Sequence, residues 1–491
     1  MFNVHLNKII IFLKKSLSDI RLIVPLQQRM KIIFVGCTHA GTNCAVTIKK
    51  ICPDVEIHII EKNSTVSFLS CGIAIQLQTP LEGMFYCSVA EMNKMGIKTH
   101  MESLADEIDY SKKCLTIKPL NGGASTQLNY DILILSCGSA PIIPPFIPNG
   151  DVSGFKNLYL CKSYVHGTKI FEYVKAHSGQ GKSVAVLGGG YIGIELCECF
   201  GEHKFKVYCV EGEERIMKRY FDKDFTDKAE ETLKKHSCEI VLGKRVTNVE
   251  QAGEQIKLTF NDNSNLTVDA CVMCIGFKPN TEFAIKSAEK QKVTLKNDRG
   301  AFEVTEFCET TQADVYAIGD ASMCFLNPME KQAYIPLATN AIRQAIACGS
   351  HICHKINPKI PLIPQIGTQG TSALKLYDPV FSSTGLSTEL AKQTYGDDVA
   401  DCKIEDDMCP GFITPNLGRY TLRMVYRRSD FRLLGVQVIG QRAAEICQAA
   451  SVLIQNKASI FQVMQQDFSF NPWYNKPVHP LAQCAMKIIF G

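Results

Sequence analysis

A strand, a glycine turn, a helix and a second strand occur twice in this chain, and that duplication constrains the fold more than any other feature. The first copy runs KIIFVG from Lys31, THAGTNCAVTIKKIC from Thr38, and VEIHIIE ending at Glu61. The second runs KSVAVLGGG from Lys182, YIGIELCECFGEH from Tyr191, and KVYCVE ending at Glu211. Each reads as a βαβ unit, and such units build doubly wound parallel sheets. At 491 residues the chain exceeds one ordinary core. The pattern therefore predicts an α/β protein with two Rossmann-like nucleotide-binding domains, followed by a domain of α+β type.

The chemistry of the turns follows from their spacing. Gly188, Gly190 and Gly193 form G-x-G-x-x-G around Tyr191 and Ile192, between a strand and a helix. Glycines there permit a tight turn and close approach of a pyrophosphate, which rests on the helix N-terminus. Glu211 accepts hydrogen bonds from ribose hydroxyls and repels a 2′-phosphate, so NADH is expected over NADPH. In the first turn Gly36 and Gly41 are kept, Thr38 replaces the middle glycine, and His39 and Ala40 open the helix. Glu61 stands where Glu211 stands in the second unit. By itself this is a weaker nucleotide site, and a βαβ unit without ligand is the plainer reading.

Composition removes several other classes. A net charge of +4 with no basic stripe gives nucleic-acid binding no electrostatic support. The 22 cysteines lack small-domain spacing and predict a reduced, cytoplasmic protein with mostly buried thiols. Cys271 and Cys274 lie in a strand-like run without a second ligand pair, and Cys197 and Cys199 point to different helix faces, so no metal site is expected. Residues 1–29 carry five basic residues against Asp19 and no run approaching the roughly 20 apolar residues of a membrane span. They read as a loose extension ahead of a domain starting near Met30, an amphipathic targeting peptide being the alternative.

Beyond Glu61 comes SFLSCGIAI, with Cys71 and Gly72 ahead of an apolar stretch that could start a helix. A cysteine at a helix N-terminus gains from free amides and the dipole, which lower its pKa. His39, the titratable residue of the first turn, is a candidate neighbour. Taken singly, each is more often packing or surface than chemistry.

The motifs GCTHAGT, SFLSCG, SCGSAP, GGGYIGIE, GFKPNT, YAIGDA, IPLATNA, GTQGTS and NPWYNKP occur in this order between Met30 and Pro477. In them the chain resembles the flavoprotein pyridine nucleotide-disulfide oxidoreductases, in the single-cysteine branch of NADH oxidases, NADH peroxidases and coenzyme A-disulfide reductases. The resemblance implies that Gly36, Thr38, His39, Ala40, Gly41 and Glu61 hold the ADP half of FAD. Asp320 would meet the ribityl chain, and Leu337 and Ala338 the isoalloxazine. Gly138 and Lys162 would lie at the crossing between domains. Gly188, Gly190, Ile192, Gly193 and Glu211 would hold NADH, with Tyr220 and Gly276 alongside and Tyr191 as a movable cover.

Cys71 would be the redox centre and His39 its partner. Position 76, where a disulfide-forming relative carries its second cysteine, holds Gln76, so an internal disulfide at that site is excluded. The resemblance implies an FAD-dependent, water-forming NADH oxidase in which Cys71 cycles between thiolate and sulfenic acid. NADH peroxidase and coenzyme A-disulfide reductase are the alternatives, and a non-catalytic redox sensor a further one. The implied domains are 30–149 with 269–355 for FAD, 150–268 for NADH, and 361–491 for dimerisation. The last carries Phe468, Phe470, Trp473 and Tyr474 in a tail that reaches the partner in a homodimer or larger assembly, with no nucleic-acid or membrane partner.

Overall fold

The runs KIIFV and ILIL show no polar alternation, and in EIHII even His58 is buried, so strands of that kind need both faces covered. The computed structural model, which describes residues 29–77, 81–415 and 417–491, places them together in one parallel sheet. Nearly all of the 1–29 extension thus lies outside the described residues. The order across the sheet is Val315–Ala317, Ile132–Leu135, Lys31–Val35, Glu56–Ile60, Ile97–His100. Alternate side chains go to opposite layers. Ile32, Phe34, Ile57 and Ile59 pack on helices His39–Ile51 and Ala338–Ile356. Ile33, Val35 and Leu133 pack on Ile108, Leu115 and Ile117 of an antiparallel meander spanning 103–129. Fully burying each such side chain contributes about 1.5–3 kcal/mol.

The second unit repeats this three-layer plan. Its parallel sheet runs Glu239–Val241, Lys206–Val210, Ser183–Leu187, Ala270–Met273, Leu158–Leu160. Helix Tyr191–Glu202 covers one face, and a meander spanning 246–268 covers the other through Val249, Ile256 and Leu258. One boundary needs correcting. Ala270–Met273, given by the sequence reading to the FAD domain, is hydrogen-bonded between two strands of the second sheet. The return crossing therefore follows it. There Phe277–Pro279 pairs antiparallel with Ser139–Pro141, so both crossings run side by side, with Gly138 and Gly276 at their starts.

The remaining segment forms a five-stranded antiparallel sheet, ordered Ser372–Lys375, Val380–Gly385, Leu433–Ile439, Arg419–Arg427, Val399–Asp407. Helices Ala443–Gln455 and Pro480–Phe490 pack on it around a core that includes Leu422, Val436 and Cys484. No helix among the described residues is long and apolar enough to cross a membrane.

Candidate active site

The two glycine turns are built alike. Gly36 and Gly188 take positive φ, +96° and +106°, and a Cβ at either would strike the backbone of the adjacent strand's end. Gly41 and Gly193 sit where their helices touch the turn, each under the carbonyl of its first glycine. Thr38 and Gly190 are the N-caps; neither helix has a side-chain cap or an acid in its first turn, so both N-termini keep free amides for an anion. Glu61 Oε2 accepts the Cys37 amide at 2.8 Å, and Glu211 Oε2 accepts the Gly189 amide at 2.6 Å. The acids thus also brace the turns. Glu61 further accepts the Asn63 amide and side chain, and Glu211 the Glu213 amide, which leaves each carboxylate with an acceptor site to spare.

A third element closes on the first turn. Gly319, with Ala40 against it, holds its amide on Gln344 Oε1 at 2.8 Å and so fixes the turn carrying Asp320. Asp320 Oδ2 accepts the Ser139 hydroxyl at 2.6 Å and the Lys162 ammonium at 3.0 Å. Burial opposes its ionisation, but Lys162, Ser139 and His39 outweigh it and hold the carboxyl below the usual range. Lys162 also lies 4.4 Å from the centre of the Phe277 ring, so it ties both crossings to Asp320. Leu337 caps helix Ala338–Ile356, a third N-terminus without a side-chain cap or acid.

Cys71 lies in a 3₁₀ turn, Ser70–Gly72, leading into the short helix Ile73–Gln76. That helix packs on Tyr191–Glu202 of the second domain, so Cys71 stands where the two nucleotide domains meet. The cysteine is exposed although Gly72 and Ile73 behind it are buried. Its pKa is raised, because the surrounding protein desolvates the thiol and Glu195 adds negative charge, while its own backbone amide and Lys162 pull the other way. A helix of four residues carries too little dipole to reverse this. Glu195 itself is pushed up to about 7 by burial and by Glu198.

His39 meets Tyr86 as its ring partner. The rings stack at 5.8 Å, and the Tyr86 hydroxyl lies 3.3 Å from His39 Nδ1 while donating to the Thr38 carbonyl at 3.0 Å. With its proton on Thr38, the phenol accepts from His39, so Nδ1 carries the ring proton. Nε2 is then a bare lone pair, buried without a protein partner. Burial lowers the His39 pKa, with Asp320 opposing and Lys162 assisting. Tyr86 also feels the charge of Cys71.

Tyr191 starts the second helix as His39 starts the first. Its ring packs edge-on against Tyr220 at 4.5 Å, and its hydroxyl accepts from Ser372 at 2.9 Å and lies 3.4 Å from Ser383. The expected movable cover is thereby moored on the third domain. Ser139, Gln344, Tyr86 and Glu195 were not singled out from sequence. Ser139 and Glu195 sit inside SCGSAP and GGGYIGIE, one residue past Gly138 and two past Gly193, and that adjacency was the available signal. Among the described residues no three or more His, Cys, Asp or Glu groups are arranged to hold a metal.

These residues fit a bound dinucleotide flavin. The first helix offers free amides, Glu61 a spare acceptor, Asp320 a buried anionic acceptor, and His39 Nε2 and the Tyr334 hydroxyl are buried polar atoms without protein partners. An NADH oxidase of Enterococcus faecalis is 37% identical over 471 residues, covering 93% of this chain and 100% of that one. One from Streptococcus pyogenes is 32% identical over 469 residues, covering 93% and 99%. The solved structure of the water-forming NADH oxidase from Lactobacillus brevis bound to NADH superposes with a TM-score of 0.85 at 32% identity, covering 94% and 98%. Residues 30–345 match the pyridine nucleotide-disulphide oxidoreductases and residues 371–481 their dimerisation domain, and the chain belongs to that family.

Proposed function

We propose that this protein is an FAD-dependent NADH oxidase that reduces oxygen to water, acting as a homodimer in the cytoplasm. The observation that carries the reading is Cys71, placed where the two nucleotide domains meet, with Gln76 in place of a second cysteine. Its kinship to whole-length NADH oxidases supports the same choice. All 22 cysteines are free thiols, in keeping with a reducing compartment.

Gly36 to Gly41 with Glu61 hold the ADP half of FAD, Asp320 the ribityl chain, and Leu337 and Ala338 flank the ring system. Gly188 to Gly193 with Glu211 hold NADH, beside Tyr220 and Gly276. Bound there, FAD supplies the two-electron relay that side chains cannot. The protein's own residues do the rest. Lys162 and Ser139 keep Asp320 ionised and aligned. Tyr86 fixes His39 as the neutral Nδ1–H tautomer, so Nε2 can accept a hydrogen bond from a protonated oxidant. Glu195, as the carboxylate, takes the Cys71 proton, and the resulting thiolate attacks one oxygen of hydrogen peroxide, forming the S–O bond as the O–O bond breaks. The departing hydroxide takes a proton from Glu195 and leaves as water.

The test is NADH consumption against oxygen consumption, with catalase added at the end. Two NADH per oxygen and no oxygen returned by catalase is expected, with Cys71→Ser releasing peroxide. Little oxygen uptake, but NADH loss on adding hydrogen peroxide or coenzyme A disulfide, would replace the oxidase with a sister activity.

A further inference from the structure

Away from this site several thiols lie against one another, and one pair differs from the others. In Cys161–Cys274, side by side past the ends of two parallel strands, the partner thiol and burial push Cys274 far up, so it stays protonated. Cys52–Cys353 is buried on both sides. Cys402 is half-exposed on Val399–Asp407, which is an edge strand of the dimerisation sheet. Its partner Cys484 is fully buried on helix Pro480–Phe490.

The geometry ties the pair together. Cys484 Sγ donates to the Cys402 carbonyl at 3.5 Å, which sets the Cys484 thiol beside Cys402. One helical turn on, the Lys487 ammonium donates to the Lys403 carbonyl at 3.1 Å, which sets a cation over the same stretch of strand. We propose that Cys402 and Cys484 form a second thiol–disulfide site, oxidised by hydrogen peroxide, that clamps the C-terminal helix onto the edge strand.

Roles within the pair are set by environment. The neighbouring Cys484 thiol lowers the Cys402 pKa against burial, with Lys487 assisting, while Cys402 and burial hold Cys484 protonated. Cys402 is the nucleophile. Its thiolate attacks peroxide, forming an S–O bond as the O–O bond breaks and hydroxide leaves. The Cys484 thiol then attacks the sulfenic sulfur, and the hydroxyl departs as water with the thiol proton. Each sulfur ends one electron poorer, and peroxide has taken both. Asp406 on the same strand holds Lys476 at 2.6 Å and Gln483 at 3.1 Å. The clamp therefore secures the footing of the tail that carries the exposed Trp473 and Tyr474.

The test treats the holoenzyme, without NADH, with a few equivalents of hydrogen peroxide, then N-ethylmaleimide and non-reducing peptide mass spectrometry. A linked Cys402–Cys484 peptide pair within one chain is expected, lost on dithiothreitol treatment and retained in Cys71→Ser. Oxidised protein should unfold about 5 °C higher, as a cross-link closing a long loop does. Cys484→Ser should leave a dimedone-reactive sulfenic acid at Cys402, and Lys487→Met should slow linkage several-fold. Recovery of both cysteines alkylated at doses that fully oxidise Cys71 overturns the proposal. So does a Cys402 bridge between subunits, or over-oxidation of Cys402 beside a free Cys484. Should the serine variants fail to fold, the wild-type peptide map decides alone.

Discussion

Laid one on the other, the turns at Gly36–Gly41 and Gly188–Gly193 agree at the outer glycines, where backbone presses on backbone, and differ at the open middle position. A Cβ on Gly41 would lie 2.2 Å from the Gly36 carbonyl oxygen, and on Gly193 1.8 Å from that of Gly188. A Cβ on Gly190 meets nothing within 4 Å, and there the first turn carries Thr38. The outer glycines are requirements of the fold, while the middle one answers to whatever approaches from outside. The first residue of each helix differs as well: His39 is tethered to Tyr86 beside the turn, whereas Tyr191 is moored on another domain.

Substituting the outer glycines should have the largest effect. Gly41→Ala and Gly193→Ala each force a methyl onto backbone, an overpacking cost of about 1–3 kcal/mol or more. Gly41→Ala is expected to purify without flavin absorbance. Gly193→Ala should stay yellow but need far more NADH for half-maximal turnover. Equal flavin loss in both would break the assignment of separate tasks to the two turns.

Removing the acids comes next. Glu211→Ala takes a charged acceptor from NADH, about 1.5–3 kcal/mol or roughly a tenfold or greater rise in KM, and should narrow the preference over NADPH. Glu61→Ala should weaken FAD retention and also lower Tm, because the buried Cys37 amide loses its acceptor. An unchanged NADH to NADPH ratio in Glu211→Ala would remove that residue from specificity.

The helices sharpen the contrast further. Counting along each helix from its first residue, Glu195 answers to Asn43, a carboxylic acid against a neutral amide. With its pKa raised to about 7 from an unfolded value near 4.3, Glu195 binds more protons native than unfolded across that window. Stability it lends in acid is lost as pH rises through about 7. Glu195→Gln should match wild type near pH 4 and exceed it at pH 8 by on the order of 1 kcal/mol. Alkylation of Cys71 should also shift to lower pH. A wild-type-like alkylation profile would separate Glu195 from Cys71.

Much of this frame was legible in sequence because local rules carry it. Apolar runs such as KIIFV and SVAVL, each ending in a glycine turn and followed by an apolar helix, leave few alternatives to a parallel sheet. The same local view cannot say which sheet takes a strand like ACVM, and the boundary at 269 failed for that reason. The two meanders went unread because half their residues face solvent, although Asn121-Gly122-Gly123 and the run NDNS at 261–264 stand at their turns. Cys71 was found, but its pKa direction was not. That depends on desolvation by the surrounding protein, on Glu195, far along the chain, and on a helix that stops after four residues. Tyr86 reaches His39 through the pairing of Phe68 with Phe85, a contact no spacing reveals.

The smallest effects on the fold should come from exchanging the middle residues. Thr38 makes no side-chain cap, so Thr38→Gly should change stability by only a few tenths of a kcal/mol. Gly190 has extended backbone, φ −80° and ψ −176°, which threonine adopts freely, so Gly190→Thr should leave Tm almost untouched. Its consequence should appear in NADH binding, where a side chain would now stand between the helix amides and the pyrophosphate. A fall in NADH affinity without loss of stability would show that the middle glycine belongs to the ligand. Unchanged affinity would mean that the second turn tolerates threonine as the first does, and that the glycine difference between the turns carries no function.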